Sequence, residues 1–232
     1  MKYIKQWGLK RTGTNYLRYL IEANFKDVRV LVDVLGWKHG LPVRYPSHNW
    51  KEWFPEWKPD FMPLTREEWA AVKEADIQHV MLVKHPLAWI DSMSKYMNVD
   101  VIKFTDPQLN QLALQWNTTV HSYFDFGMSV PRWIYRYEDL LDPGELHVAM
   151  DMIQISYGLL RKDAEATEWV TTTSRFERGN DTQDPEECKT KDTVLNRYFT
   201  EQRYLKHFTD AQLQVLRSTL SKDLLQRTKY EV

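Results

Sequence analysis

The chain of 232 residues is 43% hydrophobic, and its 31 Lys and Arg nearly balance 32 Asp and Glu. That supply of apolar side chains excludes wholesale disorder, and the near-zero net charge excludes a global field that would draw nucleic acid or an acidic membrane. One cysteine, Cys188, excludes an intramolecular disulfide and a cysteine-built metal site, and it fits a reducing compartment. The start is polar and charged rather than signal-like, and no stretch approaches the roughly 20 apolar residues of a membrane span. The expectation is a cytoplasmic protein with one domain over 1–232, no membrane span and a local anion site. Composition sets no oligomeric state.

In chain order, Lys2 to Trp7 alternates as a strand, and Leu17, Leu20, Ile21 and Asn24-Phe25 at spacings of three and four predict one face of a helix. Val28 to Leu35 is nearly continuous and β-branched, as a buried parallel strand should be. Half of the ten prolines then fall between Pro42 and Pro63, which predicts a long irregular insertion at about 40–64. Trp37, Trp50, Trp53, Trp57 and Trp69 crowd this region, and such rings suit an acceptor cleft. Thr65-Arg66-Glu67-Glu68 is a capping box for a helix to about Glu74. Ile77 to Val83 is a third strand, followed by a helix from Leu87 to about Met97.

Asp106 is read as the cap of the next helix with Pro107 at its first position, and Leu109, Leu112, Trp116, Val120 and Tyr123 carry it to near Gly127. Trp133 to Tyr137 is a fourth strand, and Asp142-Pro143 opens another helix. A polar tract at about 171–192 reads as a surface loop. Thr209-Asp210-Ala211-Gln212 is a second capping box, with Val215, Leu216, Leu220 and Leu224 on one closing helix. Strands alternating with helices predict an α/β protein: three α/β/α layers, a central mostly parallel sheet and a P-loop-like core.

The chemistry concentrates in Gly8-Leu9-Lys10-Arg11-Thr12-Gly13-Thr14-Asn15-Tyr16, between the first strand and the first helix. Free backbone N–H groups at a helix start hold phosphate, and Gly13 allows the backbone a left-handed turn and a close approach. Lys10 and Arg11 add charge, while Thr12, Thr14 and Asn15 offer short polar side chains. Gly8 and Gly13 have the spacing of the nucleotide P-loop, but Thr14-Asn15 replaces its Lys-Ser/Thr pair.

Arg11 to Tyr16 resembles, position by position, the 5′-phosphosulfate loop of sulfotransferases that use 3′-phosphoadenosine 5′-phosphosulfate (PAPS). Four further stretches resemble that family in its own order. Lys84-His85-Pro86 with Ser92 eight residues after Lys84 is similar to its 3′-phosphate segment, with Lys for Arg and His85 for an acidic residue. Tyr137-Glu138-Asp139-Leu140 is similar to its Tyr-Glu-Asp-Leu segment. Arg178-Gly179 resembles its late Arg-Lys-Gly loop, without the Gly-Asp-Trp continuation. Lys38-His39, after Gly36, resembles its Lys and His pair with the spacer missing.

The resemblance implies PAPS as donor, 3′-phosphoadenosine 5′-phosphate (PAP) as product and no metal. Arg11 and the backbone of Thr12 to Asn15, flanked by Lys10 and Tyr16, would hold the 5′-phosphosulfate. Lys84, Ser92, Arg178 and Gly179 would hold the 3′-phosphate. His39 would take the acceptor proton, with Lys38 near the transferring group; histidine suits this role because its ordinary pKa lies near neutrality. Glu138 and Asp139 read as scaffold. The acceptor would be a hydroxyl or amine of a small molecule or carbohydrate. Two alternatives stay open: a P-loop small-molecule or nucleoside kinase with Asp33 as its metal-binding carboxylate, and a non-catalytic nucleotide- or glycan-binding homologue.

Overall fold

The structure is a computed structural model that describes residues 1–31, 35, 37–42, 77–126, 132–171, 198–199 and 201–232. The expected insertion at about 40–64 lies outside these residues apart from its first three positions. The capping box at Thr65, most of the polar loop at 171–192, Cys188, Asp33 and Gly36 also lie outside them.

Four parallel strands form the central sheet in the order β3-β1-β4-β5: β1 (Lys2–Gly8), β3 (Val28–Leu31), β4 (Ile77–Val83) and β5 (Arg132–Arg136). Residues Ile4 to Gly8 are all buried, and in β4 only Gln78 is not, so both faces of these two strands are covered. Helices do the covering, as the α/β pattern requires. Helix α1 (Thr14–Asn24) packs on β1 and β3 through Leu17, Leu20 and Ile21. A small antiparallel pair, β2 (Phe25–Lys26) with β6 (Leu160–Arg161), was not expected from the sequence. Asn24 fixes its place: the side chain bonds the carbonyls of Leu20 and Val170 and accepts from Val170 N–H.

Helix α2 (Pro86–Tyr96) follows β4 directly, and α3 (Asp106–Asp125) precedes β5. The expected cap of α3 is corrected by one residue. Thr105 is extended and is the cap, its N–H donating to Gln108 Oε1 at 2.9 Å, so Pro107 is the second helical residue. Asp142 caps α4 (Pro143–Tyr157) as expected, accepting from the N–H groups of Gly144 and Glu145. The single closing helix is also corrected. The chain forms α5 (Asp210–Thr219) and α6 (Lys222–Thr228), because Leu220 is extended and Ser221 starts a new cap by accepting from Leu224 N–H. Both helices pack on α3.

Register decides what meets at the sheet's carboxyl edge. Gly8 is level with Leu82, and Leu82 with Tyr135. The segments that leave these strands, starting at Leu9, Lys84 and Tyr137, therefore emerge side by side, at the edge where open α/β sheets bind ligands.

Candidate functional site

The loop after β1 is a tight turn. Leu9 C=O accepts from Thr12 N–H at 3.2 Å and from the Thr12 hydroxyl at 2.7 Å, while Arg11 and Gly13 take positive φ values of 66° and 87°. The Thr12 hydroxyl thus fixes the loop from inside instead of facing a ligand. A Cβ at Gly8 would lie 2.6 Å from both Thr12 Oγ1 and Thr14 Cγ2, so only glycine permits this closeness. From outside, Trp89 Nε1 donates to Lys10 C=O at 2.8 Å and Lys84 Nζ to Arg11 C=O at 3.4 Å.

Helix α1 begins without a side-chain cap and with no acidic residue in its first turn. Its first intrahelical bond is Leu17 N–H to Gly13 C=O. The preceding N–H groups keep their outward donors and the positive end of the helix dipole, which is the arrangement that receives an anion. Lys10 adds an ammonium lying 5.0 Å from the ring centre of Trp37 and 5.5 Å from that of Tyr96. Arg11 is exposed, with its guanidinium 5.9 Å from Tyr96. Tyr16 points away from this chemistry: its hydroxyl donates to Leu140 C=O at 3.4 Å, and burial, with Tyr19 nearby, pushes its pKa up to about 12.

Lys38 and His39 reach the same loop from the segment after β3. Gly8 N–H donates to Lys38 C=O at 3.0 Å, and the His39 ring nitrogen Nδ1 lies 2.7 Å from Gly8 C=O. A carbonyl only accepts, so Nδ1 carries the proton and Nε2 the lone pair. Burial, together with Lys38 and Lys10, lowers the His39 pKa, against the opposing pull of the Gly8 bond. The ring is neutral at neutral pH, as a general base must be. Lys38 Nζ donates to Asn15 Oδ1 at 2.6 Å, which sets a lysine ammonium on the first turn of α1 from a different element.

Lys84, 5% exposed, lies beside two adjoining rings, 4.9 Å from the centre of Tyr137 and 4.8 Å from that of Phe199. Trp116 Nε1 fixes its backbone by donating to Lys84 C=O at 2.9 Å. Ser92 is half-buried in α2, and among the described residues its hydroxyl makes no hydrogen bond; it is not joined to Lys84. Its neighbour Asp91 does far more. The Asp91 carboxylate accepts from Lys95 at 2.7 Å, from His207 Nδ1 at 2.6 Å and from the Tyr198 hydroxyl. Burial raises the Asp91 pKa, and these three donors outweigh it and hold the carboxyl below its ordinary range.

Glu138 stands behind Lys84 as scaffold. It accepts from His85 N–H at 3.0 Å and from the Tyr230 hydroxyl at 2.7 Å, and burial pushes its carboxyl up despite both bonds. Asp139 pairs with Arg136, which also donates to Lys229 C=O at 3.1 Å. His85 accepts from Leu87 N–H on Nδ1 and therefore donates from Nε2 to Glu231 C=O at 2.7 Å; burial lowers its pKa to about 4. Lys229, Tyr230 and Glu231 thus brace the edge that carries Lys84, and no local pattern in the sequence marks them. Tyr230→Phe is expected to cost about 1–3 kcal/mol, because it removes a hydrogen bond to a half-buried carboxylate. Urea unfolding measures this, and a loss below about 0.5 kcal/mol would remove Tyr230 from the brace.

The structure therefore brings Lys10 to Asn15, Lys38, His39 and Lys84 together. Arg178 and Gly179 lie outside the described residues. Among the described residues, no three or more His, Cys, Asp or Glu side chains are grouped to hold a metal, and no helix is long and apolar enough to cross a membrane.

No family model matches this chain, and no curated protein matches it. The structure is similar to the sulfotransferase domain from the Synechococcus PCC 7002 olefin synthase, with a TM-score of 0.44 and 20% identity over 68% of this chain. The match spans 50% of that chain, about half its length.

Proposed function

We propose that this chain is a sulfotransferase that uses PAPS and sulfates a hydroxyl or amine of a small molecule or carbohydrate. One observation carries the reading: an uncapped helix start with Lys10 and Arg11, a buried lysine from the neighbouring strand, and a neutral histidine with a lone pair on Nε2 meet around one loop. A bound PAPS would supply the sulfuryl group. The N–H groups of Gly13 to Tyr16, with Arg11, hold the 5′-phosphosulfate and stabilise charge developing on its bridging oxygen. Lys84 anchors the 3′-phosphate, and that remote binding energy orients the donor. His39 Nε2 takes the proton of the acceptor, while Lys38, held at Asn15, offers a cation near the transferring group. We assign these roles to one cytoplasmic domain over 1–232, in which Ser92, Arg178 and Gly179 complete the 3′-phosphate site.

The kinase alternative needs the P-loop lysine after Gly13, where Thr14 stands with its side chain buried. Calorimetric titration with PAP, with 5′-AMP and ATP as controls, tests the reading. PAP is expected to bind at micromolar Kd, to need its 3′-phosphate, and to bind Lys84→Ala about 10- to 100-fold more weakly, the value of a charged hydrogen bond. Tighter binding of ATP with Mg²⁺ would overturn the reading in favour of the kinase.

A further inference from the structure

We propose that Phe199 and Tyr137 form an aromatic cradle that aims the Lys84 ammonium at the donor's 3′-phosphate, and that Asp91 holds this cradle in place through Tyr198. The inference rests on the donor reading above and adds four positioning residues to it: Tyr137, Phe199, Tyr198 and Asp91.

The starting point is a chemical weakness. A lysine is a flexible stem with a point charge, whereas an arginine brings a rigid fork to a phosphate. At position 84 the structure supplies rigidity from the surroundings. The Tyr137 and Phe199 rings stand edge to face, 5.4 Å apart and 85° inclined, and both present themselves to the ammonium at under 5 Å. Cation–π contacts of this kind strengthen when water is excluded, and Phe199 is only 6% exposed. The ammonium also donates to Arg11 C=O at 3.4 Å, so the rings and the phosphate loop together fix where its charge stands. The Tyr137 ring also lies against Gly13, so one side chain touches both the loop and the lysine that serves it.

Phe199 comes from far along the chain, and its placement needs an anchor. Tyr198, packed edge to face on Phe199 at 5.1 Å, provides it by donating its hydroxyl to Asp91. Asp91 is 3% exposed at its side chain, and Lys95 and His207 bind the same carboxylate. Helix α2, which starts two residues after Lys84, thus carries at Asp91 the hook for the residue that covers Lys84. The three donors compensate the buried carboxylate, and of them the Tyr198 hydroxyl is the one that reaches the segment over Lys84. Through it Asp91 holds the segment Tyr198-Phe199.

The test is calorimetric titration of PAP and 5′-AMP into the full chain and its variants, with thermal unfolding followed in parallel. Phe199→Leu keeps apolar bulk but loses the ring face, and is expected to weaken PAP about 10-fold while leaving 5′-AMP unchanged, since 5′-AMP lacks the phosphate that Lys84 serves. Phe199→Tyr restores an aromatic face and is expected to restore PAP binding. Tyr198→Phe cuts the bond to Asp91 without removing the ring, and is expected to shift PAP in the same direction by a smaller factor. Equal losses for PAP and 5′-AMP would show a general packing role and overturn the cradle. Tighter PAP binding by Phe199→Leu would show that the ring plugs the site, and would overturn it too. A wild-type protein indifferent to the 3′-phosphate would instead defeat the donor reading itself.

Discussion

His39→Ala is expected to lower kcat by roughly 10²- to 10⁴-fold while leaving PAP affinity nearly unchanged. The imidazole donates from Nδ1 to Gly8 C=O, so Nε2 is the atom available to accept the acceptor's proton. Its pKa is lowered, chiefly by burial and further by Lys38 and Lys10, so the neutral form persists to lower pH than for an ordinary histidine of 6.5. The sign follows from the chemistry. A protonated ring cannot accept, so wild-type kcat falls as pH drops through the lowered pKa and is flat above it. In His39→Ala that acid limb disappears. The comparison needs an acceptor that the wild-type protein turns over, with rates measured from pH 4.5 to about 8.5. An unchanged acid limb in the variant would assign proton removal to another group and leave His39 as a support for the loop.

Gly13→Ala is the second large effect, and it acts on the fold of the site. At φ 87° an L-residue is strained, at a cost of about 1–2 kcal/mol. The added methyl would also sit 2.2 Å from Cε2 of Tyr137, inside any real contact. Overpacking adds about 1–3 kcal/mol, so a total of roughly 2–5 kcal/mol is expected in urea unfolding. The Tyr137 ring lies against both Gly13 and Lys84, so under the proposed donor reading its movement would disturb both phosphate positions, and PAP binding is expected to vanish. A loss under about 1 kcal/mol with PAP binding retained would mean that the ring yields freely and that the left-handed turn is dispensable.

The sheet was legible because buried parallel strands are written as apolar runs. Ile77–Val83 has the bounds its sequence suggests, and Asp142 caps where an Asp-Pro pair should. The cap of α3 was misread because Asp106 and Thr105 are both capping residues, and only the extended backbone of Thr105 with the reply of Gln108 separates them. The break at Leu220 was hidden because Leu216, Leu220 and Leu224 keep helical spacing across it. In the site, Lys10 to Asn15, Lys38, His39 and Lys84 could be named because each lies in a segment that follows a strand of the parallel sheet. The Tyr198, Tyr230 and Asp91 contacts could not. The Tyr198–Asp91 and Tyr230–Glu138 bonds join positions 107 and 92 residues apart, and nothing local in a tyrosine or a helical aspartate announces a partner at that distance.

Those long separations also set an order of assembly. Glu231 closes on His85 across 146 residues, and Tyr230 on Glu138 across 92. Closing loops of this length costs entropy that grows slowly with length, and contacts of this range are expected to form after more local ones. The strand tips that carry Lys84 would therefore gain their full bracing only after the sheet exists, and would lose it early when the protein opens locally. A nascent chain stopped at about residue 228 would hold every strand described above, yet it would lack the bonds of Lys229, Tyr230 and Glu231 that brace the edge carrying Lys84. Anion affinity would then report the completion of folding rather than its beginning.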